Sequence, residues 1–243
     1  MSDAELSLAV AAMTSGRPDE AVARLEALAD RGVVGAGVAF DRGVAYALRA
    51  TSAQAVPGDL GRAAHAFEEA LRRDPHDRDA QVALDLVRHE IAGRAARAGG
   101  RAEEVGALPM WRTLVVALPS DAFGAVALGG SFALAMALLV RPLLTRGRRL
   151  AASTIAVCGL LLSILASGFA LASHYLRASV REAVVVAPTG IATPEGGGAA
   201  IVLPEGARVD VVEERATTTL VRTAKGEGWV PRQSIRALPP FRP

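Results

Sequence analysis

Polar and apolar positions along the chain follow three successive patterns. Up to about residue 98, apolar residues recur every three to four positions, the period of amphipathic helices. From Ala122 to Ser173 the pattern loses its polar stripe. Ala122–Val140 runs 19 residues without a charge and Leu150–Ser173 runs 24. At a helical rise of about 1.5 Å per residue, the shorter run reaches roughly 28 Å, close to the ~30 Å hydrocarbon core of a bilayer. After Arg181 the period changes to two. Ala183–Ala187, Arg208–Val212 and Thr217–Arg222 alternate or carry β-branched residues, with Pro188, Gly190, Pro194, Gly206 and Gly226 between them. The predicted fold class is multidomain: an all-α helical domain over 1–98, a two-helix transmembrane hairpin over 122–140 and 150–173, and a small all-β barrel over 182–238.

Charge orients that hairpin. The connecting loop 141–149 carries four arginines and no acid. The excess of arginine on cytoplasmic loops places it inside and both flanking regions outside the cytoplasm. Residues 99–121 form the linker to the bilayer, with Trp111 read as an anchor in the headgroup region or as a packing residue. Neither span contains Asp, Glu, Lys, Arg or His, which favours an anchor over an ion path. Gly124, Gly129, Gly130 and Ser131 in the first span, with Ser163, Ser167 and Gly168 in the second, either let the helices pack closely or face lipid. The acidic start Met-Ser-Asp-Ala-Glu is not the basic region of a signal peptide. An extracytoplasmic N-terminal domain therefore implies a leader upstream, and the other reading leaves that domain in the cytoplasm.

The overall charge of +2 hides a segregation. Residues 1–121 hold 14 arginines against 18 acids, the loop adds four positive charges, and 177–243 hold 9 bases against 7 acids. An acidic N-terminal region argues against nucleic-acid binding. The single Cys158 excludes an internal disulfide framework, and the four histidines are scattered without metal-ligand spacing. No nucleophile–base set or phosphate-binding glycine loop stands out, so no catalytic residue, cofactor or metal is assigned.

The helical region contains an internal repeat. Gly16–Leu28 and Asp59–Ala70 share a small residue, a large residue four later and an apolar residue three after that. Ala63, Phe67, Ala70 and Pro75 resemble the second helix of a tetratricopeptide repeat (TPR). Gly43 and Tyr46 resemble its first helix, with an insertion within Thr51–Gly58. The earlier repeat fits through Leu8, Ala21, Leu25 and Leu28. Asp77–Ala95, with apolar Val82, Leu84, Leu86, Val87 and Ile91, is a capping helix. The resemblance implies a concave partner-binding face at Phe40, Asp41, Val44 and Ala47. Asp41 stands where some relatives bind a peptide carboxylate through asparagine, and an acid there would repel that ligand.

The C-terminal region resembles a bacterial SH3 domain through Leu203–Val209, Lys225–Pro231 with its Gly228-Trp229-Val230, and Ser234-Ile235. Trp229 is expected in the core. The order of TPR-like helices, two spans and SH3-like strands is similar to that of the BatE-type membrane proteins of bacterial aerotolerance (Bat) operons. That resemblance implies a membrane-anchored, non-enzymatic adaptor for MoxR-type ATPases and von Willebrand A-domain proteins. The alternative is a cell-envelope sensor whose SH3-like domain binds peptidoglycan.

Overall fold

A computed structural model describes residues 2–97, 120–140, 146–179, 181–195 and 199–240. Trp111, the linker and the first half of the basic loop lie outside them. The chain forms two compact units: one joins residues 1–107 to 180–243, the other is 108–179.

The first unit begins with five helices, α1 (Ser2–Thr14), α2 (Pro18–Asp30), α3 (Ala36–Ala50), α4 (Asp59–Arg73) and α5 (Arg78–Arg97). Pro18 opens α2 with φ preset for a helix, and Asp19 and Glu20 meet the positive end of its dipole. Helices α3 and α4 pack through the positions that mark the repeat. A Cβ at Gly43 would lie 2.6 Å from Cε1 of Phe67, so glycine there lets the ring seat against α3. Ala63, Phe67 and Ala70 are buried around it. The loop before α4 turns at Gly58, whose φ of +90° favours glycine.

Two flanking helices depart from expectation. Leu8 is 49% exposed, because α1 turns Ala9 and Ala12 inward instead. On α5, Leu84, Val87 and Ile91 are buried, whereas Val82 and Leu86 are 68% and 70% exposed. Val82 and Leu86 lie on the face of α5 opposite Leu84, Val87 and Ile91.

Seven antiparallel strands follow: β1 (Arg181–Val185), β2 (Thr189–Ala192), β3 (Ile201–Pro204), β4 (Arg208–Glu214), β5 (Thr218–Thr223), β6 (Gly226–Pro231) and β7 (Ile235–Ala237). Five form a sheet in the order β6-β5-β4-β1-β7, and β2 pairs with β3. A bridge between Thr193 and Trp229 joins the two sheets. It needs Gly228, where a Cβ would come within 2.9 Å of the Ala192 side chain. The core between the sheets is aliphatic, built from Ala183, Val185, Ala192, Leu203, Ala207, Val209, Val221 and Val230. Trp229 is not in it. Its ring is half-buried at the surface, with the Arg215 guanidinium 3.7 Å above its centre.

The helical and β regions of this unit share a core. Val184 and Leu238 belong to the same apolar cluster as Leu25, Leu28, Leu60, Phe67 and Ile91.

The second unit holds α6 (Ser120–Val140) and α7 (Arg146–Ser179). Helix α7 starts four residues before the expected span and continues beyond it. Its segment Ser153–Leu171 is long and apolar enough to cross a membrane, while Gly124–Val140 is a shorter apolar helix. The two helices touch at small residues. A Cβ on Gly130 would meet the Gly159 carbonyl at 2.8 Å and the Ser163 nitrogen at 3.1 Å, and one on Gly159 would meet the Leu134 nitrogen at 3.2 Å. Partner numbers fall on α7 as they rise on α6, so the helices run antiparallel. The Ser131 and Ser163 hydroxyls hydrogen-bond at 2.8 Å. Gly124, Gly129 and Gly168 face open space.

Candidate interaction site

Phe40, Asp41, Val44 and Ala47 lie along a half-buried face of α3. Phe40 stacks at a tilt on Phe67, with ring centroids 5.6 Å apart, and Val44 and Ala47 pack against the helical core. Burial pushes the Asp41 carboxyl above its usual range, and no partner offsets this among the described residues. The four positions are thus adjacent, and three of them already support the fold.

The polar chemistry of the unit is concentrated elsewhere, on α4. Gly61, His65, Glu68 and Arg72, spaced four, three and four residues apart, share one helix face. All four are buried under the β region. At Gly61 a Cβ would lie 2.6 Å from the Val185 carbonyl, so the missing side chain lets α4 meet strand β1. The Gly61 amide donates to Glu205 Oε1 at 2.7 Å, giving the first turn of α4 an acidic cap from the β3–β4 turn. Burial nevertheless raises the Glu205 pKa.

Further along α4, His65 Nε2 lies 3.0 Å from the Ala237 carbonyl oxygen. A carbonyl only accepts, so Nε2 carries the proton. Glu68 is gripped by Arg88 of α5 and by both ends of the Arg208 guanidinium on β4, with Arg208 Nε donating at 2.6 Å. Arg72 pairs with Glu182 of β1 and donates to the Pro239 carbonyl at 2.6 Å.

A second cluster joins α2, α3 and β7. Arg236 Nη1 and Nη2 donate to Glu26 Oε1 and Oε2 at 2.9 and 3.3 Å, and the Tyr46 hydroxyl donates to Oε1 at 2.7 Å. Burial drives the Glu26 carboxyl up, but Arg236, Tyr46 and Arg42 outweigh it and hold it below the usual range. Tyr46 is pushed up to about 12, by burial first and then by Glu26. His65 is pushed down, chiefly by burial and also by the Arg42 and Arg236 charges. Its Nδ1 is buried without a hydrogen-bond partner, as is Arg42 Nε.

Paired charges at a mostly buried contact hold two surfaces in one register, because breaking a pair leaves the remaining ion poorly solvated. Reading the sequence missed this network. A signal was present in Glu182, an acid at the start of the apolar run Ala183–Val186, and in Arg236, a charge between Ile235 and Ala237-Leu238. Among the described residues no group of His, Cys, Asp and Glu forms a metal cluster. Comparison with protein-family models, with curated proteins and with solved structures finds no match for the chain.

Proposed function

We propose that the chain is a membrane-anchored, non-enzymatic adaptor, with α6 and α7 as a two-span hairpin and its TPR-like and SH3-like regions together on one membrane face. The carrying observation is the shared core of the first unit. The chain leaves that unit after α5 and returns to it at β1. A segment that leaves and re-enters one folded body crosses a bilayer an even number of times. A span at Ser153–Leu171 therefore requires a second, and α6, apolar and packed antiparallel on α7, supplies it. The arginines of 141–149 put that turn in the cytoplasm and the folded unit outside.

The adaptor role rests on the resemblance to TPR, bacterial SH3 and BatE-type proteins, whose partners would be MoxR-type ATPases and von Willebrand A-domain membrane proteins. The peptidoglycan reading has less support, since Arg215 covers the one aromatic face that the β region offers among the described residues.

Single cysteines at exposed Gln81 and Thr217, in a Cys158→Ser background, test the topology. An impermeant maleimide should label both from outside the cytoplasm, and Thr145→Cys only from within. Labelling of Gln81→Cys and Thr217→Cys from opposite faces overturns the hairpin. Failure of the nanodisc-embedded chain to bind either class of Bat-type partner, with topology intact, overturns the adaptor role alone.

A further inference from the structure

The last strand sits in the molecule as a bound peptide would. On one side, β7 pairs with β1 in the register Ala183–Ala237, Val184–Arg236 and Val185–Ile235, and the Leu238 amide extends the ladder to the Glu182 carbonyl at 2.8 Å. On the other side its backbone is read by side chains. His65 takes the Ala237 carbonyl at 3.0 Å and Arg72 takes the Pro239 carbonyl at 2.6 Å, two residues on as an extended chain requires. Two side chains then specify sequence. Arg236 enters the carboxylate fork of Glu26, and Leu238, only 7% exposed, fills the helical core. Main-chain bonds that fix an extended segment, with pockets for alternate side chains, are the elements of recognition by strand addition.

We propose that this seat is a peptide-recognition site for an extended Arg-x-Leu-Pro segment, occupied at rest by residues 236–239, and that a partner segment of the same pattern takes it in trans. The resident ligand is suited to exchange. It is a three-residue edge strand, joined to β6 by the short turn Arg232–Ser234, in which Arg232 and Gln233 are exposed. It also leaves the seat incompletely used. His65 Nδ1 and Arg42 Nε belong to side chains that are each 5% exposed, and neither atom has a hydrogen-bond partner. A segment that brings a donor to His65 Nδ1 and an acceptor to Arg42 Nε would satisfy what residues 236–239 do not. The seat lies within one folded unit and does not depend on the membrane reading.

The test uses the full chain in detergent and a fluorescent peptide Ser-Ile-Arg-Ala-Leu-Pro-Pro, the sequence of residues 234–240. In the unmodified chain the tethered tail competes at an effective concentration on the order of millimolar. Leu238→Asp weakens that tail, so the peptide should bind this variant at least about tenfold more tightly than the unmodified chain. Changing the peptide's arginine to glutamate should abolish the binding. A folded Leu238→Asp chain that binds no peptide overturns the proposal. If that variant does not fold, amide exchange in the unmodified chain decides. Exchange of the Leu238 amide faster than that of the β5 amides supports a tail that opens separately. Equal rates overturn the proposal.

Discussion

Helix α4 against the β region and helix α6 against α7 are both close helix contacts, built with opposite chemistry. At the first, Gly61 lets the backbones meet, and the surrounding surface is a set of buried and half-buried ion pairs around Glu68, Arg72 and Glu26. At the second, Gly130 and Gly159 do the same steric work, and the one polar link described is a pair of serine hydroxyls. Charge suits a contact whose alternative is water, since ions are solvated whenever it opens. If α6 and α7 form the proposed hairpin, the alternative to their contact is lipid, where an opened ion pair would have no solvent and hydroxyls with glycine suffice. The contrast thus separates a contact that encodes register from one that needs only close approach.

The ionic contact should fail most severely when one partner is removed. Glu68→Ala takes the carboxylate from Arg208 and leaves Arg88 with only Asp85, 3.8 Å away. It should lower the stability of the first unit by about 3 kcal/mol in urea unfolding. A loss below about 1 kcal/mol would mean that the network is solvated in solution. Replacing Glu68, Arg88 and Arg208 together by leucine should cost less than the single change, because no charge is then left unpaired.

The steric half of the comparison gives a smaller effect. Gly61→Ala forces α4 from β1 and should cost about 1–3 kcal/mol. Gly130→Leu forces α6 from α7 and should leave the unfolding free energy of the first unit unchanged within about 0.5 kcal/mol, since Gly130 and the Gly159 and Ser163 it meets all belong to the second unit. A shift of the first unit as large as that from Gly61→Ala would show that the units are energetically coupled.

The apolar half of this arrangement was legible in the sequence and the polar half was not. Ala63, Phe67 and Ala70 announce a helix face that must be covered, and they are buried as expected; that Gly43 is where the Phe67 ring seats emerges only from the structure. On the opposite face of α4, the stripe of His65, Glu68 and Arg72 is equally compatible with water. Its partners Arg208, Glu182 and Ala237 lie more than 100 residues away, beyond any helical or strand period. Trp229 misled for the same reason. Its type suggests burial, yet the small aliphatic residues around Val221 already fill the space between the sheets. Periodicity locates a surface that needs covering, and it leaves open which distant segment covers it.

The smallest expected effect isolates a single proton in the ionic contact. Because burial and nearby arginines lower the native pKa of His65, the unfolded chain binds a proton first as pH falls through about 6.5. Stability contributed by neutral His65 is complete above that pH and is lost progressively down to its native pKa. Glu26 and Glu69, held below the carboxylate range, lose their contribution only at lower pH, through their native pKa values. Asp41 and Glu205 act in the opposite sense: their raised pKa values make them gain protons earlier in the folded chain, which stabilises it on acidification. The first loss of stability below pH 6.5 therefore belongs to His65. Glutamine keeps a donor for the Ala237 carbonyl and does not titrate, so urea midpoints of His65→Gln should stay flat from pH 7 to about pH 5, while those of the unmodified chain fall. Parallel curves for the two proteins would place the sensitivity in the carboxylates and remove His65 from the account of the contact.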